Sequence, residues 1–352
     1  MLPFYYSLSE YLKKTYHRKL YKLALYGGMT CPTRDGFKDT RGCIFCSQAG
    51  SGDFTGAWLS DTSLIAKSDT SLNKETCQVL INSHTPKYHD VTATLNEQFE
   101  AAKANLSSKI KEEESPQFIA YFQSYTNTYA PFSYLERLFM STILREDVAI
   151  LSIGTRPDCL SIEVIALLSR INKIKPVWVE LGLQTSKEST AKYIRRGFSL
   201  DDFDRSVRLL KAEGINCIVH QIIGLPGETK EDCINTAKYI ANSHADGVKL
   251  QLLHVLTGTD LAKDYETKHF DVLSMEEYFD YLSGILPVLP PSMVIHRITG
   301  DGPESLLIAP HWSLNKRYVL NQMHKYFKTN HVRQGSAVPL SDADSNDTTN
   351  KD

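Results

Sequence analysis

A chain of 352 residues, 42% of them hydrophobic and 23% charged, has the balance of an ordinary globular protein and the length for one large core or two modest ones. Its formal net charge of −2 excludes a global pull toward nucleic acid or membranes and leaves only local patches for that purpose. No apolar run approaches the ~18–20 residues that cross a bilayer, the first residues lack a signal-peptide pattern, and seven unevenly spread cysteines do not form a disulfide framework, so a reducing cytoplasm is the expected setting.

In chain order, Ser7 to Leu20 reads as a leading helix, with Ser7 as cap and Glu10 at capping-box spacing. Residues 22–26 form a strand that delivers a cysteine-bearing loop. The stretch 58–95 is rich in Ser, Thr, Asn, Lys and His without an apolar period, and is expected to be an inserted surface loop. A helix over about 96–112 follows. Strands are then expected at 118–123, 148–153, 177–183, 215–223 and 247–253, and helices at 134–144, 162–171, 187–196, 200–213 and 230–243. Such alternation implies right-handed βαβ units and a parallel sheet. Six strands fall short of the eight that close a full barrel, which leaves an open sheet or a partial barrel. The core is thus expected over 21–258 and a C-terminal extension over 259–334, with a helix at 275–285, a strand at 293–297 and a helix at 315–327. The polar stretch 335–352 is expected to be disordered.

One strand orients itself. In Val177–Gln184 the odd positions are Val or Leu, while the even ones are Trp178, Glu180, Gly182 and Gln184. Period two places the aliphatic face under helices and the polar face in the interior. A purely structural parallel strand would be apolar on both faces, so this polar face suits a lumen that holds a ligand. Lys249 and Gln251 repeat the pattern in 248–252. A lone buried Lys or Glu is costly, so these groups must satisfy one another or a ligand.

Directly after the first strand, Cys31, Cys43 and Cys46 form a C-x11-C-x2-C cluster. A closed metal site takes four protein ligands, whereas three leave a coordination position open for chemistry. Cys77, Cys159, Cys217 and Cys233 lack metal-like spacing and read as buried or incidental thiols.

Further blocks follow in order: 121–131 (YFQSYTNTYAP), 154–158 (GTRPD), 180–185 (ELGLQT), 223–228 (IGLPGE), 296–301 (HRITGD) and 309–312 (APHW). Together with the cysteines they closely resemble the YhcC-type radical SAM proteins, relatives of the radical SAM domain in the catalytic subunit of Elongator. The resemblance spans about 1–58 and 117–330; the cysteine spacing departs from the commoner C-x3-C-x2-C, and 58–95 is longer than the family leads one to expect.

The resemblance implies an α/β fold, a partial (β/α)6 barrel of the radical SAM type with a small C-terminal α/β extension. It implies a 4Fe–4S cluster on Cys31, Cys43 and Cys46 whose fourth iron chelates S-adenosylmethionine. A flavodoxin- or ferredoxin-type donor would reduce the cluster, and a 5′-deoxyadenosyl radical would abstract a substrate hydrogen. By position, Phe45 is expected near the adenine, Gln123 and Ser124 at the methionine amino group, and Glu180 and Gln184 at the ribose hydroxyls or in a buried network. Ile223 and Gly224 open a segment that resembles the one lining adenine. Arg156 could clamp a carboxylate or phosphate, or pair with Asp158 or Glu180. His220, His254, His296 and Arg297 are candidates for substrate contact.

Kinship with the Elongator domain suggests a tRNA uridine as substrate, and two basic stretches, 13–22 and 316–328, could meet phosphates. No acetyltransferase domain follows in this sequence, so the complete Elongator reaction is not carried over. The competing reading is non-catalytic: a zinc- or iron–sulfur-binding module for RNA or protein, with His84 or His89 as a fourth zinc ligand.

Overall fold

The strands, in chain order, are β1 (Leu20–Leu25), β2 (Gln117–Phe122), β3 (Val148–Thr155), β4 (Val177–Gln184), β5 (Asn216–Ile223), β6 (Gly247–Leu252), β7 (Val255–Leu256), β8 (Val294–Arg297) and β9 (Leu307–Ala309). The helices are α1 (Leu8–Tyr16), α2 (Leu95–Ala104), α3 (Phe132–Ile143), α4 (Ile162–Asn172), α5 (Glu188–Tyr193), α6 (Leu200–Ala212), α7 (Lys230–Asn242), α8 (Asp260–Glu266), α9 (Met275–Val288) and α10 (Lys316–Thr329). This is a computed structural model that describes residues 3–50, 86–110, 115–300 and 302–338.

Seven strands pair in parallel in the order β1-β2-β3-β4-β5-β6-β8. Because each strand is added on the same side as the last, right-handed crossovers put the helices on one face and leave the other as a lumen. The result is the expected partial barrel, widened by one strand. β8, read from the sequence as part of a separate extension, pairs with β6 from Gly247 to Lys249 and completes the sheet. A short antiparallel pair, β7 with β9, lies beyond it.

Side chains sort by the period-two rule. Leu23, Leu25, Phe118, Ala120, Phe122, Leu151, Ile153, Val177, Val179, Leu181, Val219, Val248 and Leu250 join the outer core under the helices. Inside the lumen, Leu20, Ile119, Ile150, Trp178 and Ile218 form an apolar layer against Leu12 of α1. Helix α1 therefore plugs the end of the barrel at the strand N-termini. Ser7 caps it by accepting from the Glu10 amide at 3.2 Å. The helix stops at Tyr16, earlier than expected, because Leu20 already belongs to β1.

Two other boundaries differ from expectation. Residues 51–85, which take in most of the expected insertion, lie outside the described residues. Its last part is packed rather than a surface loop: Val91 and Leu95 are buried in the main core and Tyr88 stacks on Tyr134 at 4.6 Å. Likewise 335–338 are tied down by Gly335 N–H to the Leu286 carbonyl (3.2 Å) and Ala337 N–H to the Pro287 carbonyl (3.0 Å), while 339–352 lie outside the described residues. No helix among the described residues is long and apolar enough to cross a membrane.

Candidate active site

The cysteine loop leaves β1 at the C-terminal end of the strands, where parallel α/β folds build their sites. Tight turns shape it: Arg34 N–H donates to the Cys31 carbonyl at 2.8 Å, Gly42 N–H to the Thr33 carbonyl at 2.7 Å, and Cys46 N–H to the Cys43 carbonyl at 3.1 Å. Arg34, which sequence reasoning passed over, staples the loop by donating from Nη2 to the carbonyls of Cys46 (2.9 Å) and Ser47 (2.6 Å). Gly42 adopts φ +72°, and a Cβ there would stand 2.7 Å from Arg34 Nε. The second turn is anchored to the barrel through Ile44, whose amide donates to the Ile194 carbonyl at 3.3 Å.

Cys31, Cys43 and Cys46 line one cavity of about 250 Å³ that runs down into the lumen. Burial pushes the Cys43 thiol up to about 12, with the neighbouring Cys46 adding to it and Arg156 opposing it. Among the described residues, no group of three or more His, Cys, Asp or Glu is gathered closely enough to hold a metal ion. His89 does not line this cavity; its backbone amide is bonded to the Gly28 carbonyl at 2.7 Å, and His84 lies outside the described residues.

Below the cysteines the cavity is walled by Phe45, Gln123, Gly154, Gly182, Gln184 and Ile222. A bulge between Gly182 and Gln184 breaks the β4–β5 register and leaves Gln184 at φ +71°. Gln123 Nε2 and Gln184 Oε1 are buried and have no partner among the described residues. An amide buried this way is costly, so two of them in one cavity call for a polar ligand.

The base of the cavity is charged. Glu180 accepts from Lys22 Nζ (3.1 Å) and Ser152 Oγ (2.8 Å) on one oxygen, and from His220 Nε2 (2.9 Å) and Lys249 Nζ on the other. Lys249 also donates to the Tyr121 hydroxyl at 3.2 Å, and the ammonium groups of Lys22 and Lys249 lie 4.3 and 4.5 Å from the Tyr121 ring centroid. Burial raises the Glu180 carboxyl, but Lys22 and Lys249 overcome it and hold the group well below the usual range. Burial, with Lys249 beside it, pulls His220 down to about 4, so at neutral pH it is an uncharged imidazole donating to Glu180. Lys22 is thus a lumen residue and not part of a surface basic patch.

The expected site residues divide. The three cysteines, Phe45, Gln123, Arg156, Glu180, Gln184, His220, His254 and Arg297 all line this cavity. Arg156 is the paired case: it donates from Nε and Nη2 to Asp158 at 3.0 and 2.9 Å and from Nη1 to the Arg196 carbonyl at 2.8 Å. Ser124 is buried but does not line the cavity. Ile223 points into the outer core, and neither it nor Gly224 reaches the cavity; Ile222 does, as the phase set by Ile218 and His220 requires. His296 faces the opposite end of the barrel, edge-on to Trp178 with ring centroids 5.0 Å apart, in an open pocket of about 1030 Å³. Besides Arg34, sequence reasoning missed Phe198, which lies between Arg156 and Arg196 at 5.1 and 4.7 Å.

Comparison with known proteins agrees with this geometry. The profile of the Radical SAM superfamily matches residues 40–240, and that of the Radical_SAM C-terminal domain matches 245–329. The uncharacterized protein YtqA of Bacillus subtilis is 38% identical over 331 residues, covering 94% of this chain and 92% of that one. Protein YhcC of Escherichia coli is 29% identical over 328 residues, covering 93% of each. The solved archaeal Elp3 of Methanocaldococcus infernus, with an N-terminal deletion, shares the fold at a TM-score of 0.58 and 20% identity, covering 70% of this chain and 62% of that one.

Proposed function

The chain belongs to the radical SAM superfamily, and from that premise we propose that Cys31, Cys43 and Cys46 hold a 4Fe–4S cluster and that Gln123, Gln184 and Phe45 receive S-adenosylmethionine. As a member it is an enzyme, and the family implies both cofactors and a reductant. The observation that supports the residue assignment is a single cavity with three thiols at its mouth and two unpartnered amides beneath them. Bound together, the two cofactors supply reductive cleavage of the sulfonium and a 5′-deoxyadenosyl radical that abstracts a substrate hydrogen.

The chain's own residues prepare the chamber. Arg34 fixes the loop that carries the thiols. Gly154 and Gly182 leave room where side chains would fill the lumen, and a Cβ on Gly182 would stand 2.7 Å from Gln184 Nε2. Gln123 offers donors and Gln184 an acceptor to a polar ligand. The apolar layer and α1 close the far end against water.

Anaerobic purification tests the assignment. Iron and sulfide near four each per chain, lost in Cys43→Ala, are expected, and stoichiometric zinc instead would overturn it. Dithionite with S-adenosylmethionine should then release 5′-deoxyadenosine. For the substrate we propose a tRNA nucleoside, on the kinship with the Elongator domain and the exposed Lys316, Arg317, Lys325 and Lys328 on α10. Mass spectrometry of tRNA nucleosides from a deletion strain checks this, and an unchanged profile counts against it. A flavodoxin- or ferredoxin-type protein is the proposed donor.

A further inference from the structure

We propose that the open pocket at the plugged end of the barrel, with the basic faces of α1 and α10 beside it, is a docking site for an RNA strand. The proposal rests on the RNA reading of the substrate and adds a second place where that RNA is held, away from the chemistry.

The pocket, of about 1030 Å³, lies outside the apolar layer. It opens between the N-terminal segment, the loops that precede β6 and β8, and the residues that follow α10. Tyr5, Tyr6 and Tyr11 line it, each partly exposed, with Trp178, Asn216 and Ile218 of the strands beneath them. Partly exposed aromatic rings offer stacking surfaces to bases of any sequence.

Positive charge gathers at the same place. In a chain of net charge −2, residues 1–20 and 305–338 hold nine Lys and Arg against Glu10 alone. These segments come from opposite ends of the sequence, and the fold joins them. The His324 ring of α10 lies 5.7 Å from that of Phe4 and 6.5 Å from that of Tyr5, and Gln334 is bonded to Phe4 and Tyr6. Lys14 and Arg333 line the pocket itself. Lys13 and Arg18 are exposed near Lys14, as are Lys325 and Lys328 near His324. Among the described residues none of these six cations meets a carboxylate. The acids that line the pocket are Glu10 and Asp246, and Asp246 is already paired with Lys211.

Unpaired cations on one face are the electrostatic footprint of a polyanion. Rings set among them add what a strand of RNA needs, with phosphates on the cations and bases on the rings. An acidic protein would use the charges and leave the rings idle. Trp178 in this pocket and Gln184 in the cysteine-lined cavity stand six residues apart on β4, or about 20 Å. A mononucleotide cannot bridge that distance, whereas a folded RNA reaches the cysteine end while another part of it rests here.

The test uses the full chain, anaerobically reconstituted with the cluster. Fluorescence anisotropy follows labelled tRNA and a labelled single strand of about 12 nucleotides. Saturable binding that weakens with salt is expected. The double variant Lys14→Gln with Arg333→Gln should bind at least tenfold more weakly, with a salt slope shallower by about 1–2. Tyr5→Ala should lose about tenfold and Tyr5→Phe should recover it. Unchanged affinity in these variants overturns the docking site, as does displacement by polyglutamate or by UMP as readily as by RNA. Circular dichroism checks folding; should Tyr5→Ala unfold, the two exposed cation substitutions carry the test. Iron content and 5′-deoxyadenosine release, read on the same samples, should match the parent. A sample that holds the cluster, cleaves S-adenosylmethionine and binds RNA regardless of these substitutions overturns the docking site alone. One that binds no RNA overturns the tRNA reading with it. One that lacks the cluster yet loses RNA through the substitutions supports the docking site and overturns the cofactor assignment.

Discussion

Glu180 is the residue on which the lumen's charge turns. Its side chain is fully buried and accepts four hydrogen bonds, two of them from ammonium groups. Glu180→Ala would strand Lys249 without its counter-charge, and such a loss costs about 3–5 kcal/mol. Glu180→Gln, which keeps the volume and one acceptor, should cost less; equal denaturation midpoints for the two variants would refute this ranking. His220 gives the network a pH signature. Its folded value near 4 lies below the ordinary 6.5, so between these values the unfolded chain binds the extra proton and stability falls as pH falls. Glu180, also held low, adds a loss in the same direction at still lower pH. The His220 shift alone corresponds to about 3 kcal/mol. Replacing the imidazole, as in His220→Gln, should flatten the decline between pH 6.5 and 4 in urea titrations; an unaltered slope would place the titration elsewhere. Arg34 acts through the cysteine loop. Arg34→Ala removes the bonds to the Cys46 and Ser47 carbonyls, so the reconstituted variant should lose iron to a chelator several-fold faster than the parent. Identical rates would show that the loop holds its shape without this staple.

At the scale of elements, strand β4 shows how one backbone irregularity makes a site. Its bulge turns Gln184 into the cavity beside Gly182, and the two positions compete for the same space. Gly182→Ala should displace the flexible end of Gln184 with little effect on the fold, and weaken S-adenosylmethionine binding about tenfold, or about 1.4 kcal/mol, in equilibrium dialysis. Unchanged affinity would remove Gln184 from the binding wall. Period-two alternation made β4 and the polar lumen face legible in the sequence, because a parallel strand buried on both sides gains no stability from a polar face that binds nothing. The same phase, carried from Ile218 and His220, identifies Ile222, yet the turn beginning at Gly224 drew attention to Ile223 one residue away. Lys22 shares the lumen phase of Leu20, but its place beside a basic helix disguised it. Nothing local reveals that β8 pairs with β6, since that register depends on long-range contact. Tyr88, Val91 and Leu95 are too sparse in a polar stretch to announce a packed segment, and β7 and β9 are too short to show a period.

Across the whole molecule, the barrel is stratified along its axis: an apolar plug, a charged layer, a polar cavity and then the cysteine loop. The plugged end is also where the two described chain ends meet. Ile295 N–H of β8 donates to the Tyr6 carbonyl at 2.8 Å, so the N-terminal segment adds to the sheet edge. Gln334 then clasps both sides: its Oε1 accepts from Tyr6 N–H at 2.8 Å, its amide donates to the Phe4 carbonyl at 2.9 Å, and its Nε2 donates to the carbonyls of Pro290 (2.6 Å) and Met293 (2.8 Å). Gln334→Ala deletes the three side-chain bonds and leaves the Tyr6 donor without its partner. At about 1 kcal/mol for each net bond the loss should be on the order of 2–3 kcal/mol in chemical denaturation. Because this clasp secures α1 over the apolar layer, amides of residues 4–7 should also exchange faster with deuterium. The cysteine loop lies at the opposite end of the strands, so iron content should be unaffected. A variant that kept its midpoint and its N-terminal protection would show that α1 is held by Leu12, Tyr11 and Trp178 alone, through packing without the clasp.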